Sequence, residues 1–154
     1  MGSPENAPLE ARVRALFEDY SRRSNAALRD PQHADTGKLA DAFASHFVGA
    51  NPLGVMGGAK DGSFAATIRR GFEAYRAAGG TRFEIVHLEV EALDPFNAMA
   101  RADWEFDYVR PRDGASGTTA FRNIYLVNFA DGNPRIFAWI TPDEQQAMKD
   151  HGLA

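Results

Sequence analysis

The chain has 154 residues, 44% of them hydrophobic and 25% charged, which suits one soluble globular domain with enough apolar material for a core. It contains no cysteine, which excludes disulfides, thiol nucleophiles and thiolate metal sites. A net charge of −4 argues against nucleic acid as a partner, because phosphate binding needs a basic footprint.

No apolar run approaches the roughly 20 residues of a membrane span. The segment Met1-Gly2-Ser3-Pro4-Glu5-Asn6 lacks the apolar stretch of a secretion signal. The expectation is a cytoplasmic protein with no membrane partner. Residues 1–8 read as a disordered tail and residues 9–154 as a single domain.

Leu9 to Leu28 has helical spacing, with Leu9, Val13, Leu16, Phe17, Tyr20 and Ala27 on one stripe. Asp30-Pro31 ends it. Asp35 or Thr36 can cap a second helix carrying Leu39, Ala42, Phe43, His46 and Phe47. The Gly-rich segment that follows reads as a small hairpin turning at Asn51-Pro52-Leu53-Gly54. A phosphate loop is a poor reading of it, because these glycines do not lead into Gly-Lys-Ser/Thr at the start of a helix. Ser63 or Asp61 caps a third helix with Phe64, Ile68, Phe72 and Tyr75 on its apolar face, and Gly79-Gly80 ends it.

Strand-like runs follow at Arg82–Glu91, Ala98–Arg110, Thr118–Ala130 and Arg135–Thr141. In the second, Ala98, Ala100, Ala102, Trp104, Phe106 and Tyr108 share a face, opposite Arg101, Asp103, Glu105 and Asp107. In the third, Phe121, Asn123, Tyr125, Val127 and Phe129 share a face. Asp113-Gly114 and Asp131-Gly132 supply turns. Pro142–His151 reads as a last short helix, with Thr141 as its cap and Glu144 in its first turn. The fold class is therefore α+β: three N-terminal helices packed on a curved antiparallel sheet, forming a cone.

This order resembles the nuclear transport factor 2-like superfamily, and within it the SnoaL-like group, an α+β cone also called cystatin-like. The resemblance runs from about Leu9 to the C-terminus. It rests on Ala42-Phe43 through Asn51-Pro52-Leu53-Gly54, the Trp104…Tyr108 strand, and the ending Phe129-Ala130-Asp131-Gly132-Asn133-Pro134-Arg135-Ile136. It implies helices over the mouth of the cone and a homodimer through the outer face of the sheet. The outward residues of the Ala98–Arg110 and Thr118–Ala130 strands are expected to form that interface, with Ile124 and Leu126 as its apolar members.

Three patterns within the superfamily test for chemistry. The ketosteroid isomerase members place a Tyr donor on the first helix, which Tyr20 matches, and a second donor on the penultimate strand, where Tyr125 stands. Their base lies in an Asp-Pro-x-Gly turn. Here that turn begins with Asn51, which takes no proton, so the base is missing. The limonene epoxide hydrolase members use an Arg-x-Asp pair. Arg101-Ala102-Asp103 has the spacing, but the strand alternation points both charges outward. The SnoaL cyclases use an acid and a His, for which His46 and His87 are the candidates. The four histidines lack paired metal-ligand spacing, so no metal is expected, and no cofactor either.

Tyr20, His46, Asn51, Trp104, Asn123 and Tyr125 are thus the residues expected to border a pocket. Asn123 stands out as an amide on an otherwise apolar face, where it needs a partner. The reading is a module that binds a small hydrophobic molecule inside the cone. The alternative is a cofactor-free isomerase, hydrolase or cyclase acting on such a molecule. The absence of an obvious interior carboxylate favours the first.

Overall fold

A computed structural model describes residues 6–153. Helix α1 spans Asn6–Arg29, α2 Thr36–Ala40 and α3 Phe64–Ala77, with strands β1 (Phe43–Asn51) and β2 (Gly54–Ala59) between α2 and α3. Strands β3 (Gly80–Ala92), β4 (Asn97–Val109), β5 (Ser116–Asn128) and β6 (Arg135–Ile140) follow, and α4 (Glu144–Asp150) closes the order. The architecture is α+β. Three helices precede the long strands, and a fourth follows the sheet. Because α1 already begins at Asn6, only residues 1–5 of the expected tail lie outside the described residues.

The strands form one six-stranded sheet in the order β2-β1-β6-β5-β4-β3. All neighbours are antiparallel except β1 and β6, which run parallel. Register shifts interrupt the ladders in β1, in β3 and between Leu126 and Val127 of β5. Such shifts bend and twist a strand locally, which curves the sheet around its inner face.

Three sequence expectations are corrected. The second helix stops at Ala40, and Phe43, His46 and Phe47 belong to β1. Phe43 and Phe47 are four apart, a spacing that serves one face of a helix and one face of a strand equally. Pairing with β2 and β6 decides for the strand. The cap of the last helix is Asp143, whose carboxylate accepts from Gln146 N at 3.0 Å, not Thr141. The sheet is mixed, because the β1–β2 hairpin joins it through the parallel pair.

The hairpin turn at Asn51–Gly54 needs a backbone open to the left-handed side, and Gly54 supplies it with φ 128°. Asn51 Oδ1 accepts from Leu53 N at 2.8 Å and closes the turn locally.

The inner face of β4 sets the core. Ala98, Ala100 and Ala102 are fully buried at one end, and Trp104, Phe106 and Tyr108 fill the other. Small side chains let α1 come close over the first end. Phe17 lies 4.9 Å from Tyr125, and Tyr20 lies 5.9 Å from Trp104, ring centre to ring centre. Helix α1 also covers the edge of the sheet. Ile85 N donates to Ser21 Oγ at 2.8 Å and Phe83 N to Asn25 Oδ1 at 3.0 Å, so β3 amides that lack a strand partner are satisfied by helix side chains. Arg69 of α3 donates to Pro31 O, Ala34 O and Thr36 Oγ1, which ties α3 to the link between α1 and α2.

The outer face divides in two. Over β3, β4 and β5 it is an ion-pair ladder: Arg82 with Glu84, Glu105 and Asp107, Arg122 with Asp103, and Arg101 beside Glu89 and Glu91. Over β6, β1, β2 and the adjoining part of β5 it carries two apolar rows, with His46 of β1 beside them. Ile124, Ile140, Ala50 and Val55 align in one cross-strand row by register, with Leu126, Ala138 and Val48 in the next. No helix among the described residues is long and apolar enough to cross a membrane.

Burial and exposure predict opposite outcomes for two truncations. Phe17, with no solvent contact, should lose about 3–5 kcal/mol on change to alanine. Arg122→Ala removes an exposed pair and should cost about 1 kcal/mol or less. Urea unfolding measures both, and equal losses would contradict this division of the fold.

Candidate functional site

The helices do not fill the sheet's inner face over its aromatic end. A cavity of about 340 Å³ remains, bordered by Tyr20 of α1, Phe64, Ile68, Phe72 and Tyr75 of α3, Phe43 and Asn51 of β1, Phe83, Trp104, Asn123, Tyr125 and Trp139 of the sheet, and Thr141 and Glu144 at the start of α4. Most of the wall is aromatic, with a few polar tips, the usual composition of a small-molecule site. Trp139 reaches the wall because β1 carries Gly49 beneath it. A Cβ there would stand 2.6 Å from the indole.

Of the residues expected from sequence, Tyr20, Asn51, Trp104, Asn123 and Tyr125 border this one cavity. His46 does not. It is exposed on β1, where its Nδ1 lies 3.3 Å from Ser45 Oγ. His87 is exposed as well, 3.4 Å from Glu89. Arg101 and Asp103 stand on the outer face with their ion partners. Asn51 is at the rim, its side-chain oxygen already used in the turn. Among the described residues, no group of three or more His, Asp or Glu side chains is placed to hold a metal ion.

One hydrogen-bond network organises the sheet side. Trp104, 1% exposed, donates from Nε1 to Tyr125 Oη at 3.1 Å. Asn123 Nδ2 donates to the same oxygen at 3.1 Å. A phenol oxygen accepting two bonds keeps its own proton to donate elsewhere. Asn123 Oδ1 is buried with no partner. If the amide is turned over, Tyr125 donates to Asn123 and the NH2 group becomes the group without a partner. In both orientations one donor is left at the cavity wall. Burial pushes the Tyr125 phenol up to about 12, against the two incoming bonds, which favour the phenolate. Burial raises Tyr20 as well, with added repulsion from Tyr125 and Glu144. Its hydroxyl has no hydrogen-bond partner among the described residues.

The other wall holds a carboxyl group that the sequence reading missed. Tyr75 Oη donates to Glu144 Oε2 at 2.8 Å. Burial raises the Glu144 pKa above the ordinary carboxylate value, and the Tyr75 bond opposes that rise. Among the described residues no Lys, Arg or His lines the cavity. The missed signal was local: Glu144, Ala147 and Met148 share one helix face by spacing, and together they border an apolar crevice with Phe83 and Phe106. A glutamate on that face points inward. Tyr75 had a signal too, since a phenol on an apolar helix face needs a partner.

The chain belongs to the NTF2-like protein family DUF6841, whose model matches residues 10–144. Its fold is shared by solved structures. An NTF2-like protein with a cystatin-like fold from Novosphingobium aromaticivorans is 16% identical, with a TM-score of 0.64 over 91% of this chain and 86% of the other. Aln2 from a Streptomyces species is 17% identical, with a TM-score of 0.63 over 97% and 98%. A proposed scytalone dehydratase from Novosphingobium aromaticivorans is 13% identical, with a TM-score of 0.64 over 89% and 85%. At these identities the likeness carries the fold and not an activity. No protein of curated function matches the chain.

The Glu144 shift makes a stability prediction. A folded-state pKa raised by burial means that the folded protein binds this proton more tightly than the unfolded chain. The resulting stability is whole below the unfolded pKa and is lost as pH rises through the folded one. Glu144→Gln should therefore melt a few degrees above the wild type in neutral and mildly alkaline buffer, and equal to it in acid below the carboxylate range. A constant difference at every pH, read by thermal melts, would refute a partly buried carboxyl group with a raised pKa.

Proposed function

We propose that the protein binds a small, mostly aromatic molecule carrying one carbonyl or hydroxyl oxygen in the interior of the cone. The observation that carries this reading is the Tyr125 hydroxyl. Trp104 donates to it and Asn123 bonds it, and in either orientation of the amide the Tyr125–Asn123 pair leaves one donor at the wall of an otherwise aromatic cavity. A buried donor without a partner is costly, and a ligand oxygen removes that cost. The aromatic wall supplies affinity through burial, and the donor selects oxygenated molecules over hydrocarbons of the same shape.

The same reading includes a pair of subunits. The row Ile124, Ile140, Ala50 and Val55 is too apolar for a free surface, with Val55 74% and Ile140 53% exposed. A second copy laid on it by a two-fold axis covers it with like residues, and the flanking ion ladder stays in water. Ile140→Glu should then convert a sedimenting dimer to a monomer. A wild type that sediments as a monomer at micromolar concentration would end the dimer proposal without touching the cavity.

Binding has a built-in reporter, because both tryptophans of the chain, Trp104 and Trp139, line the cavity. Titration with β-tetralone and with tetralin, its hydrocarbon, should quench both. Tyr125→Phe should weaken the ketone by about tenfold, the worth of one hydrogen bond, and leave tetralin within about twofold. Equal weakening of both would make Tyr125 a packing residue. No quenching by either would refute the cavity as a binding site for such molecules.

A further inference from the structure

The binding reading uses the spare donor of the Tyr125–Asn123 pair and gives no part to the carboxyl group of the same cavity. We infer that the ligand also carries a protonated amine, held by Glu144 and by the rings of the aromatic wall. The inference rests on the binding reading, because it names a second group on the same ligand.

Three observations support it. Tyr75 bonds only Oε2 of Glu144, and Oε1 accepts no hydrogen bond from the described residues, so one oxygen remains for a ligand donor. The protein brings no counter-ion to the cavity wall from its described residues. Arg110 reaches only the C-terminal end of α4, where it donates to His151 O and pairs with Asp113. A carboxylate taken out of water needs a cation, and a neutral ligand donor supplies a bond without the charge. The wall is also built of rings, among them Tyr20, Tyr75, Trp104 and Trp139, and ring faces attract an ammonium group. The titratable groups that face Glu144 are Tyr75 from α3, Tyr20 from α1 and Tyr125 from β5. The side chains of β3 and β4 against it, Phe83 and Phe106, do not titrate, nor do those of the β1–β2 turn. Asp143, beside it in sequence, caps α4.

The arrangement acts as a charge filter. An alkyl ammonium, like that of lysine, stays charged through neutral pH, so there Glu144 is the partner that changes. Burial raises its pKa, and a bound ammonium opposes that rise as the Tyr75 bond does. Affinity for the amine is therefore low in acid, where Glu144 is protonated, and rises as pH passes through its folded pKa. By linkage, an amine that binds where Glu144 still holds its proton drives that proton into solution. A hydrocarbon of the same shape shows neither effect. A ligand carboxylate meets Glu144 with like charge and is rejected.

The test is tryptophan quenching by β-aminotetralin, by tetralin and by the β-carboxylate of tetralin, which share one frame, in buffers from acid to mildly alkaline. In mildly alkaline buffer the wild type should bind the amine about tenfold or more tighter than tetralin, and the carboxylate more weakly than tetralin. The amine's advantage should shrink as acid protonates Glu144. Calorimetry in two buffers of different ionisation enthalpy should register the released proton near that midpoint. Glu144→Gln, titrated with amine and hydrocarbon alike, should lose most of the advantage and its pH dependence. Tyr75→Phe removes the bond that favours the carboxylate, so the midpoint should move up, a shift that a merely structural role would not produce. A wild type that binds tetralin and binds the amine no more tightly overturns the inference and leaves the binding reading standing. An advantage that survives in Glu144→Gln also overturns it. A wild type quenched by none of the probes overturns both.

Discussion

Trp104 is nearly sealed from water, and its indole has one polar atom. Burying that N–H without an acceptor would cost more than the bond is worth in water. Tyr125, on the neighbouring strand of the β4–β5 ladder, supplies the acceptor. From this single requirement the site's polarity follows. An oxygen that accepts from Trp104 and bonds Asn123 leaves the pair with a spare donor, on the phenol or on the amide according to how the amide is turned. The cavity is therefore tuned to an acceptor atom by a bond whose first role is to bury a tryptophan.

The position of the cavity follows from the size gradient along β4. Alanine at 98, 100 and 102 lets α1 lie close to the sheet, and there the core is closed. From Trp104 onward the side chains are large, and α3 and α4 are held off the sheet by aromatic rings packed against one another. Phe83 stacks on Trp104 at 4.5 Å, and Tyr75 leans on Phe83 and Phe106 at 5.6 Å. Rings in such contacts are rigid and leave gaps that flexible side chains would fill. The space between the two walls is a consequence of that stiffness.

Much of this was legible in the sequence, and the exceptions share a cause. Long strands with strict alternation declared their faces, so Trp104, Asn123 and Tyr125 could be placed on one wall from pattern alone. Tyr20 followed from the helical stripe of α1. Short elements failed where one pattern fitted two periods. Phe43 and Phe47 suit a helix and a strand equally, so His46 was assigned to a helix facing the cavity and is found on a strand facing away. The parallel pairing of β1 with β6 depends on residues about ninety apart, and local pattern carries no trace of it. Glu144 was read as a charge suited to the first turn of a helix. A charge in that turn is accounted for by the helix dipole alone, and only the shared face with Ala147 and Met148 marks the side chain as inward.

Asn51 and Glu144 differ in what their surroundings require of a side chain. At the turn after β1 the side-chain oxygen of residue 51 is committed to Leu53 N, and the turn itself depends on that bond. An amide performs this as well as a carboxylate, so the turn does not need ionisable chemistry. The start of α4 is different. Its cap is provided by Asp143, which leaves Glu144, the next residue, free of any capping duty and directed along the helix face that meets the sheet. Tyr75 meets it there with one hydrogen bond, enough to orient the carboxyl group and too little to offset its burial. A group held in place yet kept reluctant to ionise costs the fold stability wherever the solvent would have it charged.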